Sequence, residues 1–378
     1  LSTSVVIAGT GVAPTRADEH RDTMDVMAQA CIEATRDAGI QLRDIDAIFT
    51  ATAQVALPTL ALAEYLGITP RYLDSTVHGG ASNLSHLQHA VAAINAGQIE
   101  VALIAYGSTQ RTALKATGTR PMVAAAPPLE AMANPRYPIT SYALMASRYL
   151  HQWEVPREYL SAVAIAASRW GALNPAAQRR ELLSHEEILA SPAVAEPFHT
   201  LDCCLITDGA GALVVMSQQK AKSLGLAQTV TIAAVADVTE HDGMMAMPDL
   251  TSTGARLTGA SAFEQAGFGP NEVNTVQIYD AFTINPILIL EDLGFCDRGQ
   301  AGRFIADGHT SPGGKLPMNT SGGGLAYTHP GMFGIYTILE SVAQLRGRAG
   351  QRQVPAKTAL AHGIGGTMSS HSTVLLTV

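Results

Sequence analysis

The side chains of this sequence able to move a proton or steady a negative charge fall in a few short segments. His329 precedes Pro330 at the end of the run Ser321-Gly322-Gly323-Gly324-Leu325-Ala326-Tyr327-Thr328, which puts an imidazole in a glycine-rich loop with a phenol two positions upstream. An imidazole so placed can donate a hydrogen bond to an oxygen on which negative charge develops, and backbone N–H groups of glycine turns can join it. Candidate turns are Gly79-Gly80 ahead of a helical pattern and Gly365-Gly366 near the C-terminus. Tyr279 supplies a second phenol, followed by Asp280. A free phenol titrates near about pH 10, so either tyrosine needs an electropositive or hydrogen-bonding environment to serve as a base at neutral pH. Asp280 reads as a residue that orients a neighbour or caps a turn.

Other reactive residue types have weaker claims. Cys31, Cys203, Cys204 and Cys296 are scattered without CxxC pairing or His at ligand spacing, which argues against a disulfide framework and a structural zinc and for buried thiols. His86 and His89 share a helical face, but no third ligand stands at suitable spacing, so no metal is expected, and His78 adds only a further imidazole nearby. Ser82 and Ser85 read as helix capping and as packing or a backbone bond. No Walker pattern occurs.

These residues must be carried by a large core. The chain has 378 residues, 47% hydrophobic and 15% charged, enough for two domains or two halves of one body. With 24 Lys and Arg against 32 Asp and Glu and no basic stripe, nucleic acid is not the expected partner. Apolar runs such as Val101 to Ala105 suit buried strands and fall short of the roughly 20 residues that span a bilayer. No basic segment precedes an apolar one at the N-terminus, and a cytoplasmic protein is expected.

Short β-branched runs alternate with alanine-rich helical stretches, the pattern of an α/β protein with mostly parallel strands. Strands are predicted at Val5 to Ala8, Ile45 to Thr52, Val101 to Tyr106, Thr229 to Ala236, Thr275 to Tyr279, Thr358 to His362 and Thr373 to Thr377. Helices are predicted at Thr23 to Ala38, Pro58 to Leu66, Asn83 to Ala96, Ala255 to Gly267, Ile284 to Leu293 and Gly331 to Arg346. A proline-broken stretch from about 107 to 200 reads as an inserted subdomain, and Asp202 to Val215 as a strand pair around a glycine turn. The grammar of the second half repeats that of the first, which suggests duplication.

Four segments, in order, resemble the thiolase superfamily and specifically its sterol-carrier-protein-type branch. Gly80-Ala81-Ser82-Asn83 is similar to the nucleophile elbow, and counting back from Gly97 places Gly80 at the cysteine position. Tyr279-Asp280-Ala281-Phe282 resembles the His-Asp-Cys-Phe or Asn-Glu-Ala-Phe motif, with Tyr279 where a His or Asn helps hold an oxyanion water. The segment from Pro317 to Gly331 resembles the Gly-His-Pro segment and retains His329. His362-Gly363-Ile364-Gly365-Gly366-Thr367 resembles the Cys-x-Gly-Gly-Gly turn, with Gly363 where the second cysteine stands and Thr367 in place of the last glycine.

The resemblance implies a thiolase fold: two similar halves, 1–225 and 226–378, each with a mixed, mostly parallel sheet under helices, in a five-layer αβαβα body with the insertion at about 107–200. It places glycine at both lost nucleophile positions, Gly80 and Gly363, so neither a covalent acyl group nor a thiol proton shuttle is available. Tyr279, Tyr327 and His329 are then the implied catalytic residues, with backbone N–H groups at Gly80, Gly365 and Gly366 as oxyanion donors. Branch members with these cysteine losses resemble aldolases that remove side chains from steroid acyl-CoA intermediates. In that reaction a β-hydroxyacyl-CoA gives up its hydroxyl proton to a tyrosinate, the Cα–Cβ bond breaks to leave a ketone, and the thioester enolate is held by His329 until a tyrosine reprotonates it. Coenzyme A thioester enters as substrate, with no tightly bound cofactor. A homodimer and a small zinc-ribbon and OB-fold partner protein are further implications. An acyltransferase with a substitute nucleophile such as Ser82, and a non-catalytic acyl-CoA or lipid binder, remain alternatives at this stage.

Overall fold

A computed structural model describes residues 4–13, 21–117 and 128–378. The first half runs β1 (Val5–Ala13), α1 (Thr23–Asp37), β2 (Ala47–Thr50), α2 (Pro58–Leu66), β3 (Tyr72–Asp74), α3 (Ser82–Asn95) and β4 (Val101–Ser108). Local chemistry sets several boundaries: the Asp22 carboxylate accepts the Asp25 N–H in a reciprocal capping box at the start of α1, and Pro58 opens α2. The insertion contributes α4 (Gln110–Thr117), α5 (Pro128–Ala131), α6 (Ile139–Gln152), α7 (Glu158–Leu173), α8 (His185–Ala190) and a small ribbon of β5 (Ala193–Ala195) and β6 (Phe198–His199). Pro121 and Pro127, two of its expected breaks, lie outside the described residues. After it come β7 (Gly209–Ser217) and α9 (Gln218–Ser223). The second half runs β8 (Val230–Thr239), α10 (Ala255–Ala266), β9 (Thr275–Ile278), α11 (Ile284–Asp292), α12 (Ala301–Ala306), α13 (Gly323–Ala326), α14 (Gly334–Leu345), β10 (Thr358–Gly365) and β11 (Ser370–Thr377).

The strand order is β3-β2-β4-β7-β1-β8-β11-β10-β9. β2 lies parallel to β3 and β4, while β7 runs antiparallel to β4 and β1, so four of the first five strands share one direction. In the second half β9 and β10 are parallel and β11 opposes both its neighbours. The series β9-β10-β11-β8 therefore repeats β2-β4-β7-β1 in order and direction, and the duplication expected from pattern is present in topology. One feature differs from two separate sheets: the halves join edge to edge through Val6 with Thr231 and Ile7 with Val230.

α3 and α14 occupy equivalent places in the two halves and lie between the half-sheets, each packing on strands of both. α1 and α2 cover the outer face of the first half-sheet and α10 and α11 that of the second, which makes five layers. A helix buried on every side carries little polar face, and all of α14 except Ala343 is buried. The two central helices approach so closely at their heads that a Cβ on Gly334 would stand 1.9 Å from the Gly80 carbonyl oxygen. A cross-half ion pair reinforces the contact: Arg346, its side chain 2% exposed, donates to Asp37 at 2.6 Å and to the Ile7 carbonyl at 3.1 Å.

The expected strand pair over Asp202 to Val215 is corrected: only Gly209–Ser217 is strand. The residues before it spend their N–H groups on other loops, Cys204 on Ala281 O and Leu205 on Gly324 O, so no local ladder forms. Three-residue β3 is too short for periodicity to reveal. Among the described residues no helix is long and apolar enough to cross a membrane.

Burial holds several imidazoles neutral. His86, packed on Phe49, has its pKa pushed down to about 4 by desolvation, so acid protonates the unfolded chain first and stability falls as pH drops from about 6.5 toward 4. His86→Leu is expected to narrow that loss by up to about 1 kcal/mol per pH unit. Urea unfolding of wild type and variant at pH 7 and 4.5 measures it; equal losses contradict it.

Candidate active site

The site forms where β9, the loop before α14, and the head of α3 meet. Tyr279 follows β9 and continues its ladder, its N–H donating to His362 O at 3.1 Å. Its side chain turns toward the α3 head, where a Cβ on Gly80 would fall 2.1 Å from Tyr279 Cε2, 2.7 Å from Cζ and 2.6 Å from Ile364 O. The phenol ring thus fills the volume that any side chain at position 80 needs. At the far end of the ring the hydroxyl stands 3.0 Å from His329 Nε2, with the two rings edge to face at 5.5 Å. Both residues are buried.

Three elements fix the backbone that carries His329 and the end of β9. Thr207 accepts the His329 N–H at 3.0 Å through its hydroxyl and returns its own N–H to His329 O at 3.3 Å. The same segment binds Ala281 through the Cys204 N–H and Gly324 through the Leu205 N–H, so residues 204–207 strap the three loops together. From β4, the Tyr106 hydroxyl donates to Pro330 O and accepts the Met332 N–H at 3.0 Å. Asn319, at a left-handed φ of 51° that asparagine tolerates, bonds both the N–H and the C=O of Ile278 and fixes the end of β9.

Burial pushes the Tyr279 phenol well above its usual range, and the nearby Cys204 thiol adds to the shift. Tyr279 is therefore a neutral hydroxyl at physiological pH, and a free tyrosinate is disfavoured. Burial also raises the Asp280 carboxyl to about 7, against hydrogen bonds from backbone N–H groups of the turn above it. The electropositive element is structural: α3 and α14 both begin here, and helix N-termini favour negative charge.

Of the residues expected from sequence, the fold brings Tyr279, His329 and the glycine turns together. A Cβ on Gly79, at φ +87°, would stand 2.8 Å from Gly366 N and 2.9 Å from Gly365 Cα, so elbow and turn pack backbone to backbone. A side chain at Gly363 would press on Leu84 and Ala81 at the α3 head, at 2.9 and 3.1 Å. Tyr327 is linked to Tyr279 through a row of rings. Its ring touches Tyr336, Tyr336 touches Phe333, and Phe333 touches Tyr279, with centroids 6.0, 5.5 and 5.8 Å apart. Burial lifts the Tyr327 phenol to about 12.

Ser82 is the first helical residue rather than the cap, and its hydroxyl donates to Gly79 O at 2.7 Å and accepts the His78 N–H at 3.0 Å, bracing the elbow. Ser85 back-bonds to Ala81 O at 3.4 Å. His89 pairs with Asp74 at 2.7 Å, and its ring centroid lies 6.3 Å from that of His86. Cys31 is buried as expected, whereas Cys203, Cys204 and Cys296 are only partly so.

Tyr106, Thr207, Tyr137 and Tyr142 carry no sequence signal, since each acts across long chain separations. The last two come from the insertion: Tyr142 donates to Gly366 O at 3.1 Å, and the Tyr137 and Thr367 hydroxyls lie 2.6 Å apart. The threonine that departs from the glycine pattern thus has a partner.

Comparison with known proteins agrees with this architecture. A family described as Thiolase, N-terminal domain matches residues 5–219, and one described as Thiolase C-terminal domain-like matches 236–378. An acetyl-CoA acetyltransferase of Methanothermobacter thermautotrophicus is 32% identical over 96% of each chain. A 17-hydroxy-3-oxo-4-pregnene-20-carboxyl-CoA lyase of Mycobacterium tuberculosis is 32% identical over 92% of each. A solved structure described as an Ltp2-ChsH2(DUF35) aldolase superposes with a TM-score of 0.88 at 28% identity, covering 99% of this chain and 98% of that one.

The clash between a side chain at 80 and the Tyr279 ring makes the two positions interdependent. Gly80→Ala is expected to cost about 1–3 kcal/mol in wild type and less in a Tyr279→Ala background, with a coupling near 1 kcal/mol or more. A double-mutant cycle by denaturant unfolding reads it, and additive effects reject the contact.

Proposed function

This chain belongs to the thiolase family, and from that premise we propose that it is a carbon–carbon lyase that cleaves a β-hydroxyacyl-CoA by a retro-aldol reaction, the acyl group being of the steroid side-chain type. The observation that carries the reading is the Tyr279 ring in the side-chain volume of Gly80 with its hydroxyl on His329. A head of α3 without a thiol offers no covalent route, and the phenol–imidazole pair offers a proton route. The relatives that act as a CoA lyase and an aldolase support the same reaction class.

Because burial disfavours a tyrosinate, the proton leaves by relay. The substrate β-hydroxyl gives its proton to Tyr279 Oη as the Tyr279 proton passes to His329 Nε2. The electron pair of the new alkoxide closes to a ketone, the Cα–Cβ bond breaks, and its electrons become the thioester enolate. The imidazolium and the heads of α3 and α14 favour that enolate electrostatically. Returning the proton through Tyr279 to Cα releases the shortened acyl-CoA and resets both side chains. Tyr327, at the other end of the aromatic row, is the second candidate donor. Ser82 is a poor nucleophile, since its hydroxyl is committed to Gly79 O.

By the same reading the enzyme is cytoplasmic and a homodimer. Among the described residues β3 is an edge strand of the sheet, flanked by exposed Leu57, Leu60, Tyr65, Leu73 and Val77, an apolar margin suited to a second copy. A small zinc-ribbon and OB-fold partner fits the solved aldolase pairing Ltp2 with ChsH2(DUF35).

With that partner supplied, wild type is expected to release a ketone and a shortened acyl-CoA from β-hydroxyacyl-CoA thioesters. Tyr279→Phe and His329→Ala are each expected to lower kcat by about 10²- to 10⁴-fold, with the loss in Tyr279→Phe exceeding that in Tyr327→Phe. Absence of ketone from every such thioester, or an acyl adduct in intact mass after incubation, defeats the proposal. Leu60→Asp with Leu73→Lys is expected to convert the dimer to monomer in light scattering after size exclusion, and an unchanged mass places the interface elsewhere.

A further inference from the structure

Asp280 is buried beside the reacting pair, and the proposed reaction gives it no part. It follows Tyr279 directly, is 1% exposed, and points its carboxyl under the glycine turn that leads to His329. Oδ1 accepts the Gly324 N–H at 2.6 Å, while Oδ2 has no hydrogen-bond partner among the described residues. The turn could not sit lower: a Cβ on Gly323, whose φ is +62°, would fall 2.1 Å from Oδ2. Gly324 is wedged between the carboxyl and the imidazole, for a Cβ there would stand 3.1 Å from Asp280 Oδ1 and 3.2 Å from His329 Cδ2.

A carboxyl so placed has two mechanical effects. It pulls the turn down onto the segment that begins with Tyr279, closing the distance between the two loops that carry the phenol and the imidazole. It also sets the height of Gly324, and with it the floor on which the His329 ring rests. Gly324 O is in turn held by the Leu205 N–H, so the wedge is fixed from both sides.

We infer that Asp280 is a positioning residue whose carboxyl, through the Gly323–Gly324 turn, sets the orientation of the His329 ring toward the Tyr279 hydroxyl. The effect on turnover rests on the lyase reading, whereas the effect on the ring does not. An ionised carboxylate with one oxygen unpaired in a buried site carries a desolvation cost, and burial raises the pKa to about 7 accordingly. An amide of the same shape retains the acceptor for Gly324 N–H, and an alanine removes it.

The test uses the full chain with its partner and two readouts. In turnover of a β-hydroxyacyl-CoA, Asp280→Ala is expected to lower kcat at least about tenfold with KM changed less than about twofold, and Asp280→Asn to stay within about threefold of wild type, since small misplacements of a reacting group are costly. In NMR of protein labelled with ¹⁵N-histidine, the His329 ring signals, assigned by their loss in His329→Gln, are expected to shift in Asp280→Ala and to remain in place in Asp280→Asn. Should Asp280→Ala not fold, Asp280→Ser carries the same comparison. Unmoved His329 signals in the alanine or serine variant overturn the inference, as does an asparagine variant that shifts them as far as alanine. If wild type turns over no such thioester, the lyase reading falls while the ring signals still decide the role of Asp280.

Discussion

A glycine at the head of α3 and a tyrosine at the end of β9 depend on each other, because the ring of one lies where the side chain of the other would begin. In an enzyme built around a thiol at that point, the helix head presents a nucleophile to the substrate. Here the same space holds a phenol whose reactive atom is displaced by the width of a ring toward His329. The bare backbone at Gly80 and the placing of the phenol against His329 are thus one steric fact.

That contact is possible only because the surrounding backbone is bare. The elbow at Gly79 packs on Gly365 and Gly366, the α3 head meets α14 at Gly334, and the His329 loop rides on Asp280 through Gly323 and Gly324. At Gly79, Gly323, Gly334, Gly365 and Gly366 a Cβ would fall under 3 Å from a neighbouring atom, and at Gly324 it would stand at 3.1 Å, well inside the contact distances that close packing allows. The glycines have no chemistry of their own; they bring three segments far apart in sequence within reach of one another. The hydroxyls of Tyr106, Tyr137 and Tyr142 then tie those segments to β4 and the insertion, so distance is removed by glycine and restored as order by phenol.

Duplication explains why the site lies where it does. α3 and α14 are the same element in two copies of one topology, and folding the half-sheets over them sets both N-termini on one point. Two helix heads converging on a buried phenol and imidazole make an environment in which an enolate is favoured over what water alone provides. A single half has no such place. The candidate site lies at the seam, and the Arg346–Asp37 pair and the β1–β8 joint hold the two halves together there.

Local pattern in the chain was enough for the elements and the fold. The capping box at Asp22, Pro58 at a helix start, and β-branched runs at Val101 and Thr275 are decided by contacts a few residues long, which is why α1, α2, α3 and α10 lie where periodicity predicts. Tyr279, His329 and the glycine turns could be singled out as candidate site residues because motif order survives in the letters. What the letters could not decide was which groups touch. Tyr279 reaches His329 through its hydroxyl, Tyr327 joins the same cluster through the rings of Tyr336 and Phe333, and Tyr106 closes on Pro330 across 224 positions. Such pairings depend on how two half-sheets fold over a shared pair of helices, and a path of that length is set by the packing of the whole core rather than by any neighbouring residue.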